Sequence, residues 1–89
     1  MADDVRALRI GSDDDVATML ADGAAGDIAQ WDGGQVTLTM AIPRGHKVAL
    51  NNIKKGDTII KYGHDIGKAI ADIAKGGHVH VHNVKTKRW

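Results

Sequence analysis

The chain has 89 residues, no cysteine and a formal charge of +1, which together narrow the classes of protein it can belong to. The length suits one small domain with a modest core, and the lack of cysteine excludes disulfides and thiolate metal ligands. No apolar run approaches the roughly 20 residues of a membrane span, and scattered basic residues with few aromatic residues do not predict a nucleic-acid binder. We therefore expect one cytoplasmic domain over residues 1–89, with neither a membrane nor a nucleic acid as partner.

Charge is distributed unevenly along the chain. Acidic residues concentrate in the first third, as in Asp13–Asp15, whereas lysine and histidine dominate from Arg44 onward. A basic second half is typical of a protein that meets an acidic ligand or a negatively charged partner surface.

The N-terminal region is predicted to contain one strand and one short helix. Residues 7–10 form the candidate strand. Ser12 offers a helix N-cap and Asp13–Asp15 an acidic first turn, so we expect a helix through residues 16–20 that Asp22 and Gly23 end.

A weak internal repeat predicts many short strands. The unit is an apolar anchor, a two-residue turn, a glycine and then the next strand, and the first of its four copies is a looser one. The copies are residues 23–28, 42–48, 53–59 and 73–79. Strands are expected between these corners at residues 36–40, 48–50 and 58–62. The stretch from Asp65 to Ile73 favours a strand over a helix because Gly67 interrupts its helical spacing.

Three of the five histidines fall in the segment 78–83. In an extended strand His78, His80 and His82 share one face, with Val79 and Val81 packed on the other. A row of imidazoles binds a metal, an anion or a proton. A half-exposed edge strand with a solvated polar face explains the pattern equally well.

Two further clusters lie beside glycine corners. Residues 44–47 place the base His46 and the cation Lys47 where a backbone can approach an anionic substrate. Residues 61–65 bring Lys61, Tyr62 and His64 together, and a lysine at such a point commonly holds a carboxylate or sulfonate. A solvated turn and a polar hairpin are the structural alternatives. No serine lies in a nucleophile setting, and no phosphate-binding glycine loop is present in the sequence.

Residues 41–83 resemble the SAF-type domain of the altronate/galactarate dehydratase family. The resemblance is carried by GHKVAL at 45–50, the IKYG…IG pattern within 59–67 and HVHVHN at 78–83. It implies a mainly β, β-clip module of short strands, to which we add the short N-terminal helix. The end at Trp89, after a basic tail over 84–89, resembles a free-standing small subunit more than a piece of a larger enzyme.

The resemblance implies a lyase subunit that is inactive alone. Its partner is a large, dehydratase-like catalytic subunit, with which it shares a divalent metal, Fe²⁺. The implied reaction is β-elimination from a small anionic 2-hydroxy acid. Residues 61–67 and 85–89 look more like the small subunits that convert (2R)-3-sulfolactate to pyruvate and sulfite. A small subunit of an altronate dehydratase and a non-catalytic SAF ligand-binding module are the alternatives.

Residue roles follow from residue type and from position near the corners. His46, His64 and Lys61 are assigned to catalysis. Lys47, Tyr62 and Asn83 are assigned to substrate binding, and His78, His80 and His82 to the metal. These assignments require the three imidazoles of segment 78–83 to share a side and to face a cleft formed with the larger subunit.

Overall fold

The fold consists of short β-strands arranged in two sheets. A computed structural model describes residues 3–9, 11–61 and 63–85, and no helix occurs among them. The strands are β1 Asp4–Leu8, β2 Val16–Met19, β3 Ile28–Trp31, β4 Gly34–Thr37, β5 Lys47–Ala49, β6 Thr58–Lys61, β7 His64–Ala69, β8 His78–Val79 and β9 Val84–Lys85. The predicted mainly β class is therefore confirmed. None of the described segments is a helix of the length and apolarity needed to cross a membrane.

The six-stranded sheet has the order β4-β3-β1-β2-β5-β8, and the smaller sheet has the order β6-β7-β9. Only β1 and β3 pair in parallel; the other described pairs are antiparallel. Apolar side chains form two core clusters, one around Met19 and Leu38 and one around Ile59 and Val79. Strand β5 contributes to both clusters because alternate residues of a strand point to opposite faces. It therefore joins the two halves of the molecule.

The predicted helix over residues 16–20 is wrong, because Val16–Met19 is strand β2. The acidic residues before it cap a distant strand instead of a helix. Asp14 is 1% exposed and accepts a hydrogen bond from the backbone N–H of Gly63 at 2.9 Å. Asp15 accepts one from the N–H of Ile60, also at 2.9 Å. Hydrogen bonds across 49 and 45 residues thus outweigh the local capping pattern.

The repeated corners are confirmed as one recurring turn. In each, the first carbonyl accepts from the N–H three residues later, at 3.0, 3.1, 2.9 and 2.8 Å in chain order. The third residue is a glycine with positive φ, as a type II turn requires. These glycines are Gly26, Gly45, Gly56 and Gly76, with φ between 85° and 91°.

The corners are joined in pairs. Gly23 bridges Ile42, and Ile53 bridges Ile73. An Asp or Asn just before an anchor accepts a hydrogen bond from a backbone N–H of the paired corner. These contacts are Asp22 with Arg44 at 2.8 Å, Asp72 with Lys55 at 2.8 Å and Asn52 with Lys75 at 2.9 Å. Short-range turns and long-range caps together fold the chain back on itself at each corner.

The other predicted strands are present with shifted ends. The first strand ends at Leu8, and the stretch from Asp65 forms part of β7, which ends at Ala69. The basic tail does not begin at 84, because β9 pairs with β7 there. Residues 86–89 and Tyr62 lie outside the described residues.

Candidate functional site

The histidine segment is a short strand followed by a turn. Strand β8 ends at Val79, and residues 80–83 turn back toward β9. The predicted extended strand is therefore wrong beyond Val79. Val79 is 0% exposed, whereas Val81 is 79% exposed and does not pack beside it.

Asn83 holds this turn closed. Its side-chain oxygen accepts a hydrogen bond from the N–H of His80 at 3.0 Å, and its side-chain nitrogen donates to the carbonyl of His78 at 2.7 Å. The N–H of Asn83 also donates to the carbonyl of His80 at 3.1 Å. The side-chain amide that we assigned to substrate binding is thus engaged at both ends in closing the turn.

The turn still brings the three predicted imidazoles to one side. The ring centroids of His78 and His80 are 5.7 Å apart, and those of His78 and His82 are 4.9 Å apart. The prediction that these rings share a side is confirmed, although a turn and not strand alternation achieves it.

His46 completes the group of rings, because it directly precedes a strand that lies beside β8. Strand β5 pairs antiparallel with β8, opposing Val48 to His78. The His46 ring stacks on His80 with centroids 3.7 Å apart, and its Nδ1 lies 2.7 Å from Nε2 of His78. We call His46, His78 and His80 the imidazole cluster; His82 lies at its edge.

A proline explains why the side chain at position 46 does not have to cap its own turn. In two other corners the equivalent residue is an aspartate that caps the turn. Asp27 accepts from the N–H of Ala24 at 2.8 Å, and Asp57 makes the same contact at 3.0 Å. In the corner of His46 the residue that would need this cap is Pro43, which has no N–H. The position is therefore released from turn capping, and the imidazole can join the cluster.

The imidazole cluster is a candidate site for a divalent metal ion. One nitrogen from each ring lies within 4.8 Å of the others. Three nitrogens around one ion, each about 2.1 Å from it, lie at most about 3.6 Å apart, so the widest spacing in the cluster would have to shorten by about 1 Å through rotation of the side chains. Within the described part of the chain, the buried Nδ1 of His80 has no hydrogen-bond partner. A buried nitrogen left without a partner is what a metal ligand supplies before the ion binds.

The surroundings of His78 and His80 favour their neutral forms, which are the forms that bind a metal. Burial lowers the pKa of His78, and the neighbouring His82 and His46 lower it further. Burial also lowers the pKa of His80, followed by the effect of His46 and Lys47. Protonating one ring disfavours protonating the next because the charges repel.

This produces a predicted pH dependence of stability. Unfolding returns His78 and His80 to a pKa near 6.5, so below that pH the unfolded chain binds more protons than the folded one. We expect the melting temperature of the metal-free chain to fall as the pH is lowered through 6.5. Hydrogen bonds from the backbone lower the pKa of Asp27 from 3.8, so its contribution is lost only at more acidic pH.

Thermal unfolding between about pH 7.5 and pH 5 measures this effect. His78→Asn should flatten the pH dependence, whereas His64→Asn, outside the cluster, should retain it. Equal slopes in all three proteins would contradict the assignment.

Two lysines that are distant in sequence meet beside the imidazole cluster. They line a cavity of about 220 Å³, which we call the lysine cavity. Its lining residues are Lys47, Lys61, Ile66, His80, Val81 and Val84. Burial lowers the pKa of Lys47, and the charge of Lys61 lowers it further. The two predicted anion contacts thus share one site, and His80 belongs to both the cavity and the cluster.

The remaining predicted residues do not all join the site. His64 is exposed at the start of β7, opposite Lys61 in the hairpin, and lies outside the imidazole cluster. Ile66 and Val84, which form walls of the lysine cavity, were not among the predicted site residues. In the sequence they are ordinary apolar residues with no chemical signal. Only the packing of β7 against β9 reveals that they line a cavity.

Comparison with known proteins identifies relatives over most of the chain. The family described as the altronate/galactarate dehydratase SAF domain matches residues 5–87. The chain is 60% identical over 55 residues to (2R)-sulfolactate sulfo-lyase subunit alpha of Paracoccus pantotrophus, covering 62% of this chain and 82% of that protein. It is 51% identical over 79 residues to altronate dehydratase of Escherichia coli, covering 89% of this chain.

The matched segment is only 16% of the Escherichia coli protein. A second sulfo-lyase subunit alpha, from Chromohalobacter salexigens, is 57% identical over 49 residues, which are 55% of this chain and 52% of that protein. The family match covers both core clusters and every residue of the imidazole cluster. The chain therefore belongs to the altronate/galactarate dehydratase SAF domain family.

Proposed function

We propose that this protein is the small subunit of a metal-dependent lyase that acts on a 2-hydroxy acid, with (2R)-3-sulfolactate as substrate and pyruvate and sulfite as products. The observation that carries the proposal is the imidazole cluster, whose three nitrogens converge next to a cationic cavity. The similarity to two sulfo-lyase alpha subunits supports the substrate class. The word subunit in their names supports a larger catalytic partner.

The imidazole cluster is proposed to hold a divalent ion, Fe²⁺, shared with the partner subunit. His46, His78 and His80 are the ligands, and His82 is a candidate fourth. Such an ion acts as a Lewis acid that stabilises negative charge next to the substrate carboxylate. Asn83 would support two of these ligands by holding the backbone of residues 78 and 80 through its hydrogen bonds.

This assignment moves His46 from proton transfer to metal ligation. Its Nδ1 already points at Nε2 of His78, so its ring faces the cluster. Lys61, together with Lys47, would hold the anionic substrate. His64 remains the candidate for proton transfer from this chain because it is exposed near Lys61 and is not needed by the cluster. Tyr62 remains a candidate substrate contact on its sequence position alone.

Altronate dehydration is the second candidate, and one observation favours it. The match to altronate dehydratase extends over 79 residues, compared with 55 for the Paracoccus sulfo-lyase. Both reactions remove a leaving group β to a carboxylate after loss of the α proton. The same metal and cationic groups would therefore serve either substrate.

Exchange of modules tests the proposal and separates the two substrates. The chain would replace subunit alpha in the Paracoccus sulfo-lyase, purified with its partner subunit, and sulfite release from sulfolactate would be measured. In parallel, it would replace the matched segment of the Escherichia coli altronate dehydratase, and water loss from altronate would be measured. The isolated chain is expected to be inactive on both substrates, because the lysine cavity is open at the surface and cannot bury most of a bound substrate.

We expect an assembled sulfo-lyase hybrid that releases sulfite and a weaker or inactive altronate hybrid. Activity only in the altronate hybrid would contradict sulfolactate as the substrate and would favour altronate. Failure to assemble in both, or assembly without turnover in both, would contradict a role as a lyase subunit. Turnover by the isolated chain would contradict the need for a partner.

A further inference from the structure

The lysine cavity has a composition that restricts what it can bind. Its lining consists of two lysines, one imidazole and three branched apolar side chains. Its volume of about 220 Å³ equals that of about seven water molecules, at about 30 Å³ each. This is room for a charged head group and a short carbon chain.

The two lysines favour an anion between them. Lys47 is partly buried in strand β5, and Lys61 ends strand β6 across the cavity. Two ammonium groups that line one small, partly apolar cavity repel each other, and an anion bound between them offsets that repulsion because it lies near both positive charges.

The apolar walls argue against a polyhydroxylated ligand. Ile66, Val81 and Val84 offer no hydrogen-bonding side-chain atoms, and no serine, threonine, asparagine or glutamine is among the described residues that line the cavity. Each hydroxyl of a sugar acid that enters such a cavity without a hydrogen-bond partner loses its hydrogen bonds to water and weakens binding. A sulfo group bears only acceptor oxygens, which two ammonium groups and an imidazole can satisfy.

The presence of lysine and not arginine in the cavity also favours a sulfo group over a carboxylate. Arginine presents a planar fork that matches a carboxylate, whereas lysine acts as a compact point charge with three donors. Both charged residues that line the cavity in the described part of the chain are lysines. Two point charges suit a tetrahedral oxyanion, whose three oxygens point in different directions.

We propose that the lysine cavity binds the sulfo group of a small sulfonated acid and thereby selects such a substrate against a polyhydroxylated sugar acid. The link to catalysis rests on the proposed function, because His80 places the cavity beside the imidazole cluster. Binding of the sulfo group itself needs neither the metal nor the partner subunit.

The proposal is tested by titrating the metal-free chain with anions at constant ionic strength and monitoring its backbone amide signals by NMR. The probes are methanesulfonate, sulfite, acetate and gluconate. We expect saturable binding of the two sulfur oxyanions, at least tenfold tighter than that of acetate or gluconate, with shifts confined to residues around the cavity. Lys47→Met and Lys61→Met should each weaken it at least tenfold. Lys47→Arg, which keeps the charge, should lose less.

Lys54→Met is the matched control, because Lys54 is an exposed lysine at a corner remote from the cavity lining. It should bind like the unmodified chain. Equal affinity for acetate and methanesulfonate, absence of saturable binding, or an equal loss in the control would overturn the proposal. A methionine variant with a collapsed amide spectrum is replaced by the glutamine variant, which also removes the charge but leaves a polar side chain of similar size.

A second measurement separates this inference from the proposed function. In an active sulfo-lyase hybrid, Lys47→Met and Lys61→Met should raise KM for sulfolactate at least tenfold with a smaller change in kcat, and the Lys54→Met control should not. An active hybrid with unchanged KM would overturn the selectivity role alone. Binding of methanesulfonate by the chain, with inactive hybrids, would overturn the proposed function and leave the cavity assignment standing.

Discussion

Replacing His46, His78 or His80 with alanine is expected to lower the metal affinity of the chain at least 100-fold. Loss of an outer-shell partner alone commonly costs 10–100-fold, and these three residues are the proposed ligands themselves. The three substitutions should have similar effects, since the nitrogens converge on one point. His82→Ala should cost less, because its ring only borders the cluster.

Isothermal titration with Zn²⁺ and, under anaerobic conditions, Fe²⁺ measures these affinities. Zinc is expected to bind more tightly than iron to the same nitrogen ligands. His64→Ala is the matched control for metal affinity, because it removes an exposed imidazole outside the cluster. A wild-type chain that binds no better than the triple alanine variant, or an equal loss in the His64 control, would contradict the metal assignment.

Gly76→Ala is expected to prevent stable folding, whereas Gly26→Ala should be tolerated. Both glycines occupy the third position of a corner, with φ of 87° and 91°. That conformation costs an alanine about 1–2 kcal/mol at either position. At Gly76 the added methyl carbon would also lie 2.1 Å from the carbonyl oxygen of Thr37, whereas at Gly26 nothing lies within 4 Å.

Backbone cannot yield as a flexible side chain does, so the Gly76 variant must open the packing between its corner and the chain around Thr37. The hydrogen bond from the N–H of Thr39 to the carbonyl of Gly76, 3.0 Å long, would open with it. The cost approaches a large part of the roughly 5–15 kcal/mol of a typical domain. Urea unfolding followed by circular dichroism measures both variants. Equal losses of unfolding free energy would show that φ alone, and not the contact, decides the effect.

Local patterns predicted the repeated corners correctly. The glycine at each turn is required by its positive φ, a constraint that one residue satisfies within its own neighbourhood. The same local logic failed for residues 16–20. Asp14 and Asp15 matched a helix start, but their carboxylates bind backbone N–H groups 49 and 45 residues away, and the one local bond, from Gly11 to Asp14, closes a turn. A capping pattern does not say which N–H groups it will cap.

The sequence by itself determined the mainly β class, the turn positions and the choice of residue types in the candidate site. The tertiary structure decided which of those residues meet. His46 and His78 are 32 residues apart and come together only because β5 pairs with β8. Lys47 and Lys61 share a cavity because the β6–β7 hairpin packs beside that edge of the sheet. Strand pairing between distant segments depends on the burial of whole faces, and no short stretch of sequence carries that information.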